Sequence, residues 1–457
     1  MRIFIAILLS CTSLALGDNS APGASDTKAE EQDRQRIEAV RSYMTSANAA
    51  ERKLALKQLS DATHPQLAHA LGDWKITRKT EESTATIDVE IPGKTKRSAK
   101  LLKVEIKLPK EYGAQNSYPL VIALHGQGGN GRQFIRAVNA LLGEQAEAFI
   151  IAAPTEYGGM WLGASADESA EPIALIDALK HRYAIDTDRI YVLGYSLGGH
   201  ASFLMATLYK DQLAAAVPLS GTCAIQMGAE CLDVLLPNIH STPVLAVYGA
   251  DDQSKNASTG EPAGIAVWNR YIKQQAAELK LPITMIELPG VGHGGVIPPK
   301  EALKDILSTK RAPLSKTVAH RFRYTTQARD GWLRQTQFSG KPWTSQQLIV
   351  SPANGETVAE AMAAMLREKL GYIGGTIDGQ TINIETHLCG RIEVLLNEDL
   401  VDLDKPITII VDGTIRFEGV AKRNTKTMLD IAKEDWEFQR LFPVRFQIGR
   451  KGKAIQR

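Results

Sequence analysis

Cysteine is scarce and neither sign of charge is in large excess. Four Cys in 457 residues cannot build a disulfide scaffold, and no Cys/His spacing resembles a zinc site. The 53 basic and 51 acidic residues leave a formal charge of +2. That balance gives no global pull toward nucleic acid or an anionic membrane. The local run Lys94, Lys96, Arg97, Lys100 reads as a solvated turn and strand face. No stretch reaches 18 uninterrupted apolar residues, so stable membrane insertion is not expected. No internal repeat is visible. Hydrophobic content of 44% and charged content of 23% suit a globular chain, and the length suits two domains with short extra segments.

The N-terminus reads as an export signal over residues 1–17. Arg2 precedes the apolar run from Ile3 to Leu9, and Ala15-Leu16-Gly17 places small residues at a cleavage site. A lipoprotein box at Leu8-Leu9-Ser10-Cys11 is the weaker reading, because Leu9 suits it poorly and the apolar run before Cys11 is short. A secreted or periplasmic protein is therefore expected. Cleavage after Gly17 leaves Cys223, Cys231 and Cys389. Cys223 and Cys231 are either a local disulfide or two half-buried thiols.

Residues 18–75 read as a linker and a helical extension. The small, polar residues 18–30 are expected to be a disordered linker. From Asp33 to about Leu71, Ile37, Val40, Tyr43 and Met44, then Leu54, Leu56, Leu59 and Leu67, recur at helical spacing, which predicts one or two amphipathic helices. Over 76–311 strands and helices alternate. Strands are predicted at 84–91, 100–108, 119–124, 148–153, 189–193, 214–219, 243–248 and 283–288. Helices are predicted at 132–147, 172–183, 198–209, 264–279 and 300–309. The pattern predicts an α/β fold with a doubly wound, mostly parallel sheet. Beyond Arg311-Ala312-Pro313 the signals are mainly β, with a hairpin at Asp412-Gly413 and one helix at 358–370. A mostly-β second domain over 312–457 is expected.

The chemistry gathers where predicted strands end. Gly194-Tyr195-Ser196-Leu197-Gly198 follows an apolar strand and opens a helix. In a chain with 37 Gly this pattern alone is a weak signal; its place between strand and helix points to a nucleophile. A nucleophilic serine must stand clear of the sheet on a tight turn, beside the amide groups at a helix N-terminus. Its hydroxyl needs a base, and the base an orienting carboxylate. Asp252 and His293 follow two later strands, in the chain order Ser–Asp–His. Both then lie at the same sheet edge as Ser196. Asp251 reads as a turn residue, and His125 and His200 as structural. The loop His125-Gly126-Gln127-Gly128-Gly129 can bring the Gln127 amide to an oxyanion, with the Leu197 amide as second donor. It has neither the Lys-[Ser/Thr] ending of a phosphate loop nor a dinucleotide fingerprint. Tyr157, Trp161 and Tyr195, with Met160, are candidate substrate contacts; Tyr157, Met160 and Trp161 can equally pack within their own loop.

Several stretches resemble the esterase D and polyhydroxybutyrate-depolymerase-like branch of the α/β hydrolases. They are Leu108-Pro109 to His125-Gly126, Tyr183 to His200, Tyr248-Gly-Ala-Asp-Asp252 and Gly292-His293-Gly294. The resemblance covers about 100–309. It implies hydrolysis of a carboxylic ester, with Ser196, Asp252 and His293 as nucleophile, acid and base. Gln127 departs from the residue usual after His-Gly in that family. A small ester or an esterified polysaccharide is the implied substrate, with no cofactor and no metal. Two other readings stay open: a prolyl-oligopeptidase-type serine peptidase, and a polysaccharide- or partner-binding protein with an incidental hydrolase core. About 80 residues before the core cannot form a peptidase's propeller, and a complete Ser–Asp–His set argues against an incidental core.

Overall fold

The computed structural model describes residues 24–73, 83–91, 100–113, 117–155, 168–223, 234–255, 260, 262–340 and 351–457. The expected export signal, Cys231, Tyr157, Met160 and Trp161 lie outside them. The chain divides into two compact units, 1–74 and 75–457.

Among the described residues the first unit holds three helices, α1 (Ala24–Thr45), α2 (Ala49–Gln58) and α3 (His64–Asp73), where one or two were expected. Helix α1 begins inside the segment expected to be a disordered linker. Its Ala, Lys and Glu residues are strong helix formers, and Glu31 pairs with Arg34 and Gln35 one turn on. Asn48 caps α2 by accepting from the Ala50 amide. Val40, Tyr43, Met44, Leu59 and Leu67 are buried as the periodicity implied, while Leu54 is 60% exposed.

The second unit begins with an eight-stranded sheet. Its strands are β1 (Thr84–Ile91), β2 (Lys100–Lys107), β3 (Tyr118–Leu124), β4 (Ile150–Thr155), β5 (Ile185–Tyr195), β6 (Ala215–Leu219), β7 (Val244–Gly249) and β8 (Ile283–Leu288). Their spatial order is β1-β2-β4-β3-β5-β6-β7-β8. Pairing is antiparallel at β1–β2 and β2–β4 and parallel from β4 to β8. The central strands are apolar on both faces because helices cover both. On β3, Leu120, Ile122 and Leu124 join one core and Val121 and Ala123 the other; on β5, Ile190 and Val192 oppose Tyr191 and Leu193. Helices α4 (Gly131–Leu142) and α8 (Lys300–Ile306) lie on the second face. On the first lie α5 (Glu171–Arg182), α6 (Leu197–Leu208) and α7 (Ile265–Glu278). Each fully buried Leu, Ile or Val contributes about 1.5–3 kcal/mol, so this two-sided core is the main force holding the sheet edge in place.

The C-terminal region contains two five-stranded sheets. One orders β9 (Thr317–Phe322), β11 (Gly371–Asp378), β12 (Thr381–His387), β14 (Pro406–Val411) and β15 (Thr414–Val420). The other centres on β10 (Leu333–Phe338), β13 (Cys389–Leu396) and β16 (Val444–Gly449), flanked by short strands at 329–330 and 455–456. They share a core around Phe322, Trp332, Ile373, Val394 and Phe446. The hairpin between β14 and β15 turns at Asp412 and Gly413, both with positive φ, as a two-residue loop of this type requires. Pairing is antiparallel except between β12 and β14. Helix α9 (Val358–Lys369) sends Ala363 and Leu366 into the hydrolase-side core, and α10 (Thr425–Asp435) buries Met428 and Leu429.

Candidate active site

Strand β5 ends at Tyr195 and α6 starts at Leu197, so Ser196 is the entire turn between them. Its φ of 56° and ψ of −116° are strained for a residue with a Cβ. Two hydrogen bonds hold it there: the Ser196 amide donates to Leu219 O at 2.9 Å, and the His200 amide donates to Ser196 O at 2.9 Å. The crossing is tight. A Cβ on Gly198 would lie 1.9 Å from Leu124 O, and one on Gly194 would lie 2.1 Å from Gly198 O. Only glycine at both positions lets α6 leave so close to β3 and β5.

The other two chemical groups come from later strand ends. Asp252 follows β7; its amide donates to Gly249 O at 3.2 Å and its carbonyl accepts from Ala266 at the start of α7 at 2.9 Å. His293 sits in the loop after β8. Its Nδ1 lies 2.8 Å from Asp252 Oδ2, and its Nε2 lies 2.8 Å from Ser196 Oγ. An ionised carboxylate only accepts, so Nδ1 carries the proton and Nε2 is left to accept from the serine hydroxyl. The Asp252 side chain is 14% exposed and that of His293 47%, so the carboxylate is shielded while the base faces the opening. Ser196, His293 and Asp252 thus form one continuous hydrogen-bonded chain.

The expected oxyanion loop passes the same point. A Cβ on Gly126 would lie 3.3 Å from Ser196 Cβ, and Gln127 follows on an exposed turn. Leu197 opens α6, so its N–H has no acceptor one turn earlier in the helix. His125 and His200 are placed structurally. His125 Nδ1 lies 2.7 Å from Gly126 O, and buried His200 accepts at Nδ1 from the Thr222 amide at 2.8 Å. Burial pushes the His200 imidazole below its usual range, which keeps it neutral. Asp251 is exposed, with its amide on Val291 O.

The hydroxyl of Tyr195 donates to the His293 carbonyl at 2.9 Å. Burial, then the Asp252 charge, raises its phenol above the usual range, so it stays a donor. Ser220, at the end of β6, was not anticipated. Its Oγ donates to the same carbonyl at 2.9 Å. A serine just past an apolar strand that shares the catalytic edge was the available signal, but no motif marks it. The candidate contacts Tyr157, Met160 and Trp161 lie in 156–167, outside the described residues. A cavity of about 650 Å³ lined by Glu105, Lys107, Arg132 and Arg136 includes none of the Ser196, His293 or Asp252 side chains. No cluster of metal-binding type occurs among the described residues.

Sheet order, the antiparallel second strand and the turn at Ser196 define the α/β-hydrolase fold. Within it, residues 154–338 match the dienelactone hydrolase family, a span that includes Ser196, Asp252 and His293 and less than half the chain. Poly(3-hydroxyalkanoate) depolymerase C of Paucimonas lemoignei is 26% identical over 145 residues, 29% of this chain and 35% of that protein. Probable feruloyl esterase C of Aspergillus niger is 26% identical over 121 residues, 25% of this chain and 45% of that protein. The chain therefore spans less than half the length of these relatives. Among solved structures, a ferulic acid esterase of Anaeromyces mucronatus is similar at a TM-score of 0.37 and 14% identity, covering 51% of this chain and 94% of that one.

Proposed function

We propose that this chain is a secreted serine esterase acting through an acyl-enzyme on Ser196. The observation that carries the reading is the hydrogen-bonded chain from Ser196 through His293 to Asp252. Ser196 Oγ attacks the ester carbonyl carbon and its proton passes to His293 Nε2. Asp252 keeps the imidazole in the tautomer that can accept, and stabilises the imidazolium. The Gln127 and Leu197 amides donate to the tetrahedral oxyanion. Collapse expels the alcohol, which takes the proton from Nε2. Water, deprotonated by the same nitrogen, then releases the acid. Every proton is handled by these side chains, so the cycle calls for no cofactor.

The relatives' names favour an ester over an amide. One is named a poly(3-hydroxyalkanoate) depolymerase and the other a probable feruloyl esterase; an esterified polysaccharide or a polyester is the substrate class we assign. Turnover of p-nitrophenyl esters and labelling by a fluorophosphonate test the reading. Ser196→Ala should remove both, a fall in kcat of about 10⁵-fold or more. Labelling that persists at another residue would overturn it. Export through residues 1–17 is part of the same proposal; the protein recovered outside the cytoplasm should begin at Asp18, and an intact N-terminus would refute that part.

A further inference from the structure

The loop that carries His293 is fastened by side chains only at its two ends, where Val291 and Val296 pack into the core on the second face of the sheet. Gly290, Gly292, Gly294 and Gly295 give it no side chains to pack, and Gly290 and Gly295 adopt positive φ. Upstream, Leu288 and Val291 carbonyls accept from Ala250 and Asp251. From 292 to 298, the hydrogen bonds to backbone among the described residues are two, both on the His293 carbonyl: Tyr195 Oη at 2.9 Å and Ser220 Oγ at 2.9 Å. A carbonyl oxygen has two lone pairs, and both are engaged.

Ser220 holds its end of this contact at a cost. It is fully buried, with φ of 45°, a backbone that glycine adopts freely and other residues adopt under strain. Its amide is tied to Val247 O at 2.9 Å, and the preceding carbonyl, that of Leu219, accepts from the Ser196 amide. Ser220 is therefore joined to the nucleophile's backbone on one side and to the base's backbone on the other. Tyr195 bonds the same carbonyl from the residue just before the nucleophile. We infer that Ser220 and Tyr195 are positioning residues, a two-hydroxyl clamp that aims the His293 imidazole at Ser196. This rests on the esterase reading and adds two hydroxyls that act on the base through its backbone carbonyl, while the Tyr195 ring also lies 5.7 Å from the His293 ring, centroid to centroid.

The strain at Ser220 provides a test in which stability and catalysis move in opposite directions. Ser220→Gly relieves the backbone but deletes the hydroxyl; Ser220→Ala deletes the hydroxyl and keeps the strain; Tyr195→Phe removes the other arm. Ser220→Gly should melt no lower than wild type. Each single variant should lower kcat on p-nitrophenyl acetate by about tenfold or more, with KM within about twofold, because the loss is one of orientation. The rate of fluorophosphonate labelling at Ser196 should fall in parallel, and the Ser220→Gly/Tyr195→Phe double variant should fall further. A purely structural Ser220 would instead give activity that follows melting temperature, with the glycine variant as good as wild type or better. That result, or kcat within about twofold of wild type in both Ser220 variants, overturns the clamp. Wild-type protein labelled at Ser196 with unaffected Ser220 variants rejects the clamp alone. Absent labelling of wild type rejects the esterase reading and the clamp with it.

Discussion

If the oxyanion is held by the Gln127 backbone, its side chain is dispensable. Gln127 is exposed on its turn, so Gln127→Ala should leave kcat within about threefold of wild type, whereas Gln127→Pro, which removes the N–H, should lower it by about 10²–10³-fold. Parallel ester assays on folded protein check this; a large loss in the alanine variant would move the donor from backbone to side chain. The example also marks what single residues reveal before a structure exists. Ser196 was legible because a tight strand-to-helix turn needs glycine on both sides of it. Asp252 and His293 were legible because each follows an apolar strand, and parallel strands end on one edge. Ser220 was not. Its importance lies in a carbonyl 73 positions away, and nothing local to Leu219-Ser220-Gly221 encodes that partner.

Among elements, the parallel strands were the plainest in sequence. Their continuous apolar runs follow from burial on both faces, and 283–288 was bounded to the residue. The strands of the C-terminal region were harder. Strand β11 reads Gly-Tyr-Ile-Gly-Gly-Thr-Ile-Asp, and three glycines weaken any strand prediction. Packing bears on all three: a Cβ on Gly371 would meet Phe322 Cε2 at 2.3 Å, one on Gly374 Tyr372 Oη at 2.2 Å, and one on Gly375 Trp332 Cη2 at 2.6 Å. Glycine at 371 and 375 makes room for the buried Phe322 and Trp332 rings. Strand β16 alternates, with Val444, Phe446 and Ile448 facing the core and Arg445 and Gln447 bonding to Glu434 and Glu393. Helix α1 was under-read at its start because a short polar stretch looks like linker until its i, i+3 and i, i+4 pairs are counted.

At the scale of the molecule, 75–457 is a single compact unit, and charged side chains join its hydrolase sheet to the C-terminal strands. Lys210, 1% exposed, bonds Asp330 at 2.8 Å. Arg329 bridges Asp211 at 2.7 Å and Asp435 at 2.9 Å. Arg311 reaches Asp188 at 2.9 Å and Glu437 at 2.6 Å, and Thr187 Oγ1 donates to Glu437 at 2.7 Å. Such buried pairs contribute little net stability when intact, but losing one partner strands a charge. Burial alone would raise the Glu437 carboxyl; Arg311, Lys180 and the Thr187 hydroxyl outweigh it and bring it down to about 2 from an ordinary 4.5. A carboxyl depressed in the folded state stabilises fully above its unfolded value and loses that contribution as the solution is acidified through its folded value. The window is therefore pH 4.5 down to about 2, and the stake is on the order of 3 kcal/mol. Urea unfolding of the full chain across this range should show midpoints falling steeply with acid. Glu437→Gln should cost about 3–5 kcal/mol at pH 7, where Arg311 is left under-compensated, and should flatten the acid slope, since its amide does not titrate. A Glu437→Gln profile parallel to wild type would mean that folding does not depress the Glu437 carboxyl.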